Sequence, residues 1–256
     1  MGTSKSQATP SGGQWTQAKR AINRGLTRPA ARRSVVGGAV SAAGGLGGGL
    51  YAGHAGGGGQ GTRNIGRAAS SLAGFLETVR TAGLDEAVRR LDLGELQGRS
   101  AVEVVSIVAD HLSQSAEGTE RELLMKALED ALLEIASLGD DLGYEDLETA
   151  LQTAIDRDGI AGVLEIFLAR VAFESVWFLI ENHAQSSSSD EDALTAFATG
   201  IEEVCRSEAR DLMAEKVRAG QFDKVDWFGA EGIRFGQELA RQLEQRLAAL
   251  SEEGGT

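Results

Sequence analysis

The 256-residue sequence has few of the residues that build covalent or metal-based sites: one cysteine, three histidines and two prolines. The single cysteine, Cys205, excludes an internal disulfide framework and a cysteine-based zinc site, and it suits a reducing cytoplasm. His54, His111 and His183 are too far apart in sequence to show the spacing of metal ligands. No HExxH, GxSxG or CxxC motif is present. The sequence therefore predicts a cytoplasmic protein that holds no metal or cofactor and is not an enzyme.

Acidic residues are absent from the first 76 positions, which hold nine of the 25 basic residues. Residues 77–256 contain all 38 acidic side chains, and the net charge of the whole chain is −13. A basic arm on an acidic body is typical of contact with an acidic partner, although the arm can equally bind the body of its own molecule or of a neighbour. The acidic body repels nucleic acid and anionic lipid, so it is not expected to bind nucleic acid directly. The candidate residues of the basic arm are Arg20, Arg24, Arg32 and Arg33.

A polar tail and a short basic helix are predicted for residues 1–33. After Met1, residues 1–14 contain no apolar side chain larger than alanine, which predicts a disordered tail. Trp15 begins an apolar series with Ala18 and Ile22 at spacings of three and four, so a helix should follow with its basic residues on other faces. Pro29 should end this helix or start a new turn.

Residues 34–62 carry no charge and are rich in glycine pairs and runs. Each glycine costs a helix about 1 kcal/mol relative to alanine, so we predict a flexible or packed linker over 34–65. Contact with another protein is one alternative. Insertion into a membrane is a less favoured one, since small residues at four-residue spacing are also typical of close helix contacts in membranes.

An acidic, all-α helical bundle is predicted over 66–256, because alanine, leucine and glutamate dominate and alternation of period two is absent. Ser100 with Glu103 and Thr119 with Glu122 match the capping box, a pair of side chains that satisfies free backbone N–H groups at a helix start. The predicted helices lie near 66–82, 84–92, 100–113, 119–138, 144–157, 160–184, 190–219 and 226–251.

The segment 160–180 is apolar on almost every side, so it should form the centre of the bundle, with Trp177 in the core. Arg170 and Glu174 have the spacing of an ion pair on one helix. A leucine stripe over 239–250 resembles a short coiled-coil seam, which can pack on the bundle or on a second copy of the chain in a homo-oligomer.

The N-terminal residues carry the clearest functional pattern. Removal of Met1 is expected because the second residue is small, and it exposes the amine of Gly2. The sequence from Met1 to Ser6 also matches the loose pattern for N-myristoylation, with Ser6 at the required position. A single fatty chain binds membranes only marginally, and the basic residues that follow would supply a second signal.

The order of MGTSKS, Trp15, a basic helix, a glycine-rich tract and an acidic helical body resembles the B component of the bacterial Qat anti-phage defence system. The resemblance implies a protein substrate encoded beside an ATPase, a QueC-like enzyme and a TatD-like nuclease. The QueC-like partner would join a 7-carboxy-7-deazaguanine to the amine of Gly2 as an amide. The matching residues expected to dock that enzyme are Thr3, Ser4, Ser6 and Trp15.

Two other functions remain open from the sequence. The chain can be a helical scaffold or adaptor subunit of a multiprotein complex, whose N-terminus is merely disordered. It can also be a myristoylated or membrane-active effector that uses the glycine-rich tract.

Overall fold

The computed structural model describes residues 13–46, 58–136, 142–222 and 225–253, and these residues form helices without any strand. The predicted all-α fold is therefore confirmed. A 3-10 helix, Pro29–Ala31, separates the first two α-helices, as Pro29 was expected to do. The α-helices are α1 (Gly13–Thr27), α2 (Arg32–Ala43), α3 (Gly58–Ala82), α4 (Leu84–Arg90), α5 (Ala101–Leu112), α6 (Gly118–Ala136), α7 (Tyr144–Ser187), α8 (Glu191–Arg218) and α9 (Ala230–Glu253).

The helix ends follow the local sequence signals closely. Ser100 forms the predicted capping box with Glu103: each side chain accepts a hydrogen bond from the other residue's backbone N–H. The second predicted box differs, since α6 begins at Gly118 and Thr119 lies inside the helix. Gly159, in the gap between two predicted helices, has φ +66 and interrupts α7. A positive φ strains any residue with a Cβ, so a glycine suits this break.

Two compact units are formed by the chain. Unit 1 is Met1–Gly61, Ser175–Val204 and Glu244–Thr256, and unit 2 is Thr62–Glu174 and Cys205–Leu243. The sequence-based division at residues 33 and 65 was drawn from composition alone and stays a prediction. Within the predicted linker, residues as far as 43 belong to α2, residues from 58 belong to α3, and 47–57 lie outside the described residues.

Unit 1 is held together by close helix approaches at glycines. Gly25 of α1 faces Val35 of α2 and Phe197 of α8, and a Cβ at Gly25 would lie 2.8 and 2.9 Å from them. Gly37 of α2 meets the backbone of α9, where a Cβ would lie only 2.2 Å from the nitrogen of Ser251. The glycine-rich tract therefore begins with a helix that needs its glycine in order to pack. The buried apolar side chains include Trp15, Ile22, Val35, Val36, Val40, Phe197, Ile201, Leu247 and Leu250.

The ion pair predicted between Arg170 and Glu174 is wrong, because each residue finds a partner on α6 instead. Arg170 donates to Glu134 at 2.6 Å, and Lys126 pairs with Glu174. Glu134 also accepts hydrogen bonds from Arg206 of α8. Burial raises the pKa of Glu134, but the hydrogen bonds from the two arginines outweigh it and leave the pKa below its usual value. These charges link helices of unit 2 rather than turns of one helix.

Trp177 is half-buried in the structure and not in the core as predicted. Its ring centroid lies 6.3 Å from that of Phe197, which is fully buried. The segment 160–180 keeps Leu164, Phe167 and Leu168 inside, whereas its later aromatic residues reach the surface.

We expect Trp177→Ala to destabilise the protein less than Phe197→Ala, although tryptophan is the larger residue. Truncating the buried Phe197 should cost about 3–5 kcal/mol, because it leaves a cavity. Truncating the half-buried Trp177 should cost roughly half of that, since less of its apolar surface leaves water on folding. Chemical denaturation of both variants measures the order, and a larger loss for Trp177→Ala would contradict this packing.

Candidate functional site

Four of the predicted site residues, Gly2, Thr3, Ser4 and Ser6, lie outside the described residues. The described chain begins at Gly13 with α1, which carries Trp15, Arg20 and Arg24. Arg32 and Arg33 begin α2. The candidate site is therefore built here on α1, α2 and the parts of unit 1 that contact them.

Trp15 lies inside unit 1 with 5% of its surface exposed. The ammonium of Lys19, one turn further along α1, lies 5.9 Å from the centre of the Trp15 ring, within the range of a cation–π contact. The indole nitrogen is buried and has no hydrogen-bond partner in the part of the chain that the structure describes. The structure thus shows Trp15 fixing the start of α1, and its contact with a modifying enzyme stays a prediction.

His183 of α7 adjoins the same turn of α1. Burial and the charge of Lys19 lower the pKa of His183, and a hydrogen bond to the Lys19 backbone opposes them only in part. The imidazole is therefore held in its neutral form around neutral pH. The Nε2 of His183 is buried and has no hydrogen-bond partner among the described residues.

The four arginines of the basic arm occupy different environments, and Arg33 is exposed in the first turn of α2. Arg20 and Arg24 are exposed on one side of α1, and neither forms an ion pair with another residue that the structure describes. Arg32 lies against Gly200 of α8, where a Cβ on the glycine would fall 2.1 Å from its Nη1. The Nε of Arg32 is buried, and no described residue forms a hydrogen bond with it. Arg32 of the basic arm is thus packed against α8, whereas Arg20 and Arg24 form an exposed surface.

A polar groove of about 910 Å³ lies along α1 and α2. We call it the α1–α2 groove. Among the residues that the structure describes, the charged side chains that line it are Arg20 and Arg24, and no carboxylate does. The other lining residues are small or uncharged: Gln14, Gln17, Ala18, Ala21, Asn23, Ser34, Gly38, Ser41 and Ser251.

Glu244 of α9 secures the end of α2. Gly44 ends this helix in the left-handed conformation, with φ +75, and Gly45 follows with φ +120. Glu244 accepts a hydrogen bond from the backbone N–H of Leu46 at 2.8 Å. Burial raises the pKa of Glu244, and the hydrogen bond from Leu46 only partly offsets this. Sequence patterns missed this contact because Leu46 and Glu244 lie 198 positions apart.

The raised pKa of Glu244 predicts a pH-dependent effect of Glu244→Gln. A carboxyl group whose pKa is higher in the folded state stabilises the protein most below its unfolded pKa, and this contribution is lost as pH rises through the folded pKa. A glutamine amide does not ionise, so the Glu244→Gln variant does not lose stability in this way as the pH rises. The change in melting temperature caused by Glu244→Gln should therefore be more favourable at about pH 8 than at about pH 5.5. An identical change at both pH values would contradict it.

Unit 2 contains a second cavity of about 660 Å³, beside the break at Gly159. Phe222, Trp227 and Phe228 line it, and the rings of Phe222 and Phe235 meet edge to face with centroids 5.2 Å apart. Phe228 is 60% exposed, and the guanidinium carbon of Arg90 lies 5.4 Å from its ring centroid. The cavity combines these aromatic rings with four charged lining residues: Glu77, Arg80, Asp158 and Asp226.

Residues of metal or thiol chemistry do not converge in the described ranges. No group of three or more histidine, cysteine, aspartate or glutamate side chains there could hold a metal ion. Cys205 forms no disulfide and is fully buried. No helix in the same ranges has an apolar stretch long enough to cross a bilayer.

The helices define an all-α protein. Comparison with protein families shows the family to which it belongs. The model of the family described as Qat anti-phage system associated protein QatB matches residues 53–226, about two-thirds of the chain. The chain therefore belongs to the QatB family and takes part in the multi-component Qat anti-phage defence system. The resemblance found in the sequence is confirmed. Searches of curated proteins and of solved structures found no match.

Sequence reasoning identified Arg20 and Arg24 but missed the rest of the groove. Gln14 and Gln17 precede them on α1, at steps of three and four residues. This spacing of polar residues could have been recognised in the sequence. The contributions of Ser34, Ser41 and Ser251 were not, because they depend on how α2 and α9 pack.

Proposed function

We propose that the chain is the protein substrate of the Qat system, acylated at the amine of Gly2 by a QueC-like partner enzyme. The single observation that carries the proposal is the MGTSKS terminus in a member of the QatB family. The ATPase and the TatD-like nuclease of the system would act with or after this modification. The proposal places the reaction in the cytoplasm and gives the chain itself no catalytic step.

The attachment of the terminus to unit 1 supports this role. Residues 2–12 precede α1, and eleven residues can reach at most about 40 Å when fully extended. The burial of Trp15 and Ile22 fixes the first turns of α1, so a partner enzyme can pull on the tail without unfolding the unit. In this arrangement Trp15 anchors the tail to unit 1, and Thr3, Ser4 and Ser6 bind the enzyme next to its active site.

The chemistry suits an N-terminal glycine. An α-amine has a pKa near 8, whereas a lysine side chain has one near 10.4, so the neutral fraction is much larger for Gly2 than for Lys5. The partner enzyme would join the carboxylate of the deazaguanine to ATP and release pyrophosphate. The Gly2 amine would then attack the acyl carbon, lose a proton and expel AMP, leaving an amide. Glycine has no side chain to crowd that attack.

The intact mass of the chain tests the proposal against its alternatives. The chain is purified after expression alone and after coexpression with the QueC-like enzyme. We expect loss of Met1 in both samples and the added mass of a deazaguanine amide only after coexpression. A myristoyl mass would favour the membrane effector. An unmodified chain in both samples would favour the scaffold.

A further inference from the structure

The α1–α2 groove presents positive charge in a protein whose net charge is negative. Arg20 and Arg24 supply two guanidinium groups, and the described part of the lining contains no carboxylate, although the protein as a whole has a net charge of −13. Neither arginine is neutralised by an ion pair within the described ranges. Guanidinium groups bind carboxylates and phosphates through paired hydrogen bonds, so the groove offers two positions for anionic groups.

The spacing of the two arginines indicates the form of the ligand. Residues four apart on a helix rise by about 6 Å. In an extended peptide, side chains on the same face are two residues apart, which is about 6.6 Å. Arg20 and Arg24 are therefore placed to meet carboxylates on alternate residues of an extended chain.

The uncharged lining suits a peptide backbone. The amide side chains of Gln14, Gln17 and Asn23 lie along α1 with the arginines, and each can both donate and accept a hydrogen bond. From Gln14 to Arg24 the stripe is about 15 Å long, enough for four or five extended residues. The small residues Ala18 and Gly38 leave room for a chain to lie close to the helices.

We propose that the α1–α2 groove binds an extended acidic segment of a partner protein, with carboxylates on alternate residues. Nucleic acid fits less well, because the described lining residues offer no aromatic ring on which a base could stack. The acidic remainder of the chain also repels a polyanion that extends beyond the groove. The proposal goes beyond the modification of Gly2 and does not depend on it.

The test measures binding of a short labelled peptide of alternating glutamate and serine to the full-length chain at low ionic strength. The variant Arg20→Gln/Arg24→Gln removes the two charges of the groove. Arg63→Gln/Arg67→Gln is its matched control, since these arginines are also four apart, exposed and on a helix, but belong to unit 2. Each double variant changes the net charge equally.

We expect the groove variant to bind the peptide about tenfold more weakly, and the control variant to bind it as the unchanged chain does. Binding should weaken as salt is added, and a peptide with glutamine in place of glutamate should not bind. Equal losses in both double variants would overturn the proposal, because general charge attraction would explain them. Tighter binding of an oligothymidine than of the peptide would also overturn it.

A second variant keeps the test decisive if the glutamine variant folds poorly. Arg20→Lys/Arg24→Lys keeps both charges and removes the planar fork that binds a carboxylate through two hydrogen bonds. Peptide binding by this variant should fall between that of the unchanged chain and that of the glutamine variant. Affinity equal to that of the unchanged chain would show that the arginine geometry has no part in recognition and would overturn the proposal.

Discussion

Replacing Gly2 with glutamate is expected to abolish both the N-terminal adduct and anti-phage defence, while the chain folds as before. The larger second residue blocks removal of Met1, so the reactive amine is never exposed. It also places a negative charge beside the atom that would attack the acyl group. The fold should not change, because α1 begins only at Gly13. Intact mass, circular dichroism and phage plating on cells that carry the whole system measure the three effects.

Two further variants define the chemistry at that position. Gly2→Pro should also abolish the adduct, because it replaces a primary amine with a hindered secondary one. Lys5→Ala is the control: its ammonium is almost wholly protonated in cells, so its loss should leave the adduct and most of the defence intact. Full defence by an unmodified Gly2→Glu protein would exclude the terminal-substrate proposal.

Gly37→Ala adds one methyl group to α2, and we expect this position to be the most destabilising one in the helix for such an addition. The new Cβ would lie 2.2 Å from the backbone nitrogen of Ser251 and 2.7 Å from the carbonyl carbon of Leu250. Backbone atoms cannot rotate away as a side chain can, so α2 and α9 would have to separate. We expect a loss of about 3 kcal/mol, the upper part of the usual range for overpacking. Chemical denaturation measures the change.

Gly38→Ala is the matched control for this crossing. Its Cβ would lie 3.6 Å from the Cα of Ala18, an ordinary contact. Both substitutions gain the same helix propensity, so Gly38→Ala should be neutral or stabilise the protein by up to about 1 kcal/mol. Equal stabilities for the two variants would contradict the close packing of α2 on α9.

Local sequence signals predicted most of the helices of this protein. The apolar series that starts at Trp15 gave α1, and the capping box at Ser100 gave the start of α5 within one residue. The break near Gly159 was also readable, because glycine tolerates a positive φ that other residues avoid. These signals act over a few residues, which is the range that a pattern in one sequence can report.

Contacts between distant segments could not be predicted in the same way. Arg170 and Glu174 have the correct spacing for each other, yet the nearer partners come from α6. The length of α2 was missed because glycine lowers helix propensity, whereas the tight approach to α9 favours a glycine at position 37. In the candidate site, the sequence identified Arg20 and Arg24 but not the serines opposite them, which depend on that same packing.

The Gly2 amine is the group that we propose is modified in the Qat system. Fragmentation of the N-terminal peptide by mass spectrometry, after coexpression with the QueC-like enzyme, tests it directly. Every fragment that contains Gly2 should carry the deazaguanine mass, and fragments that contain only Lys5 should have their ordinary mass. An adduct located on Lys5 or beyond, or a Gly2 amine that stays free while defence is active, would contradict the claim.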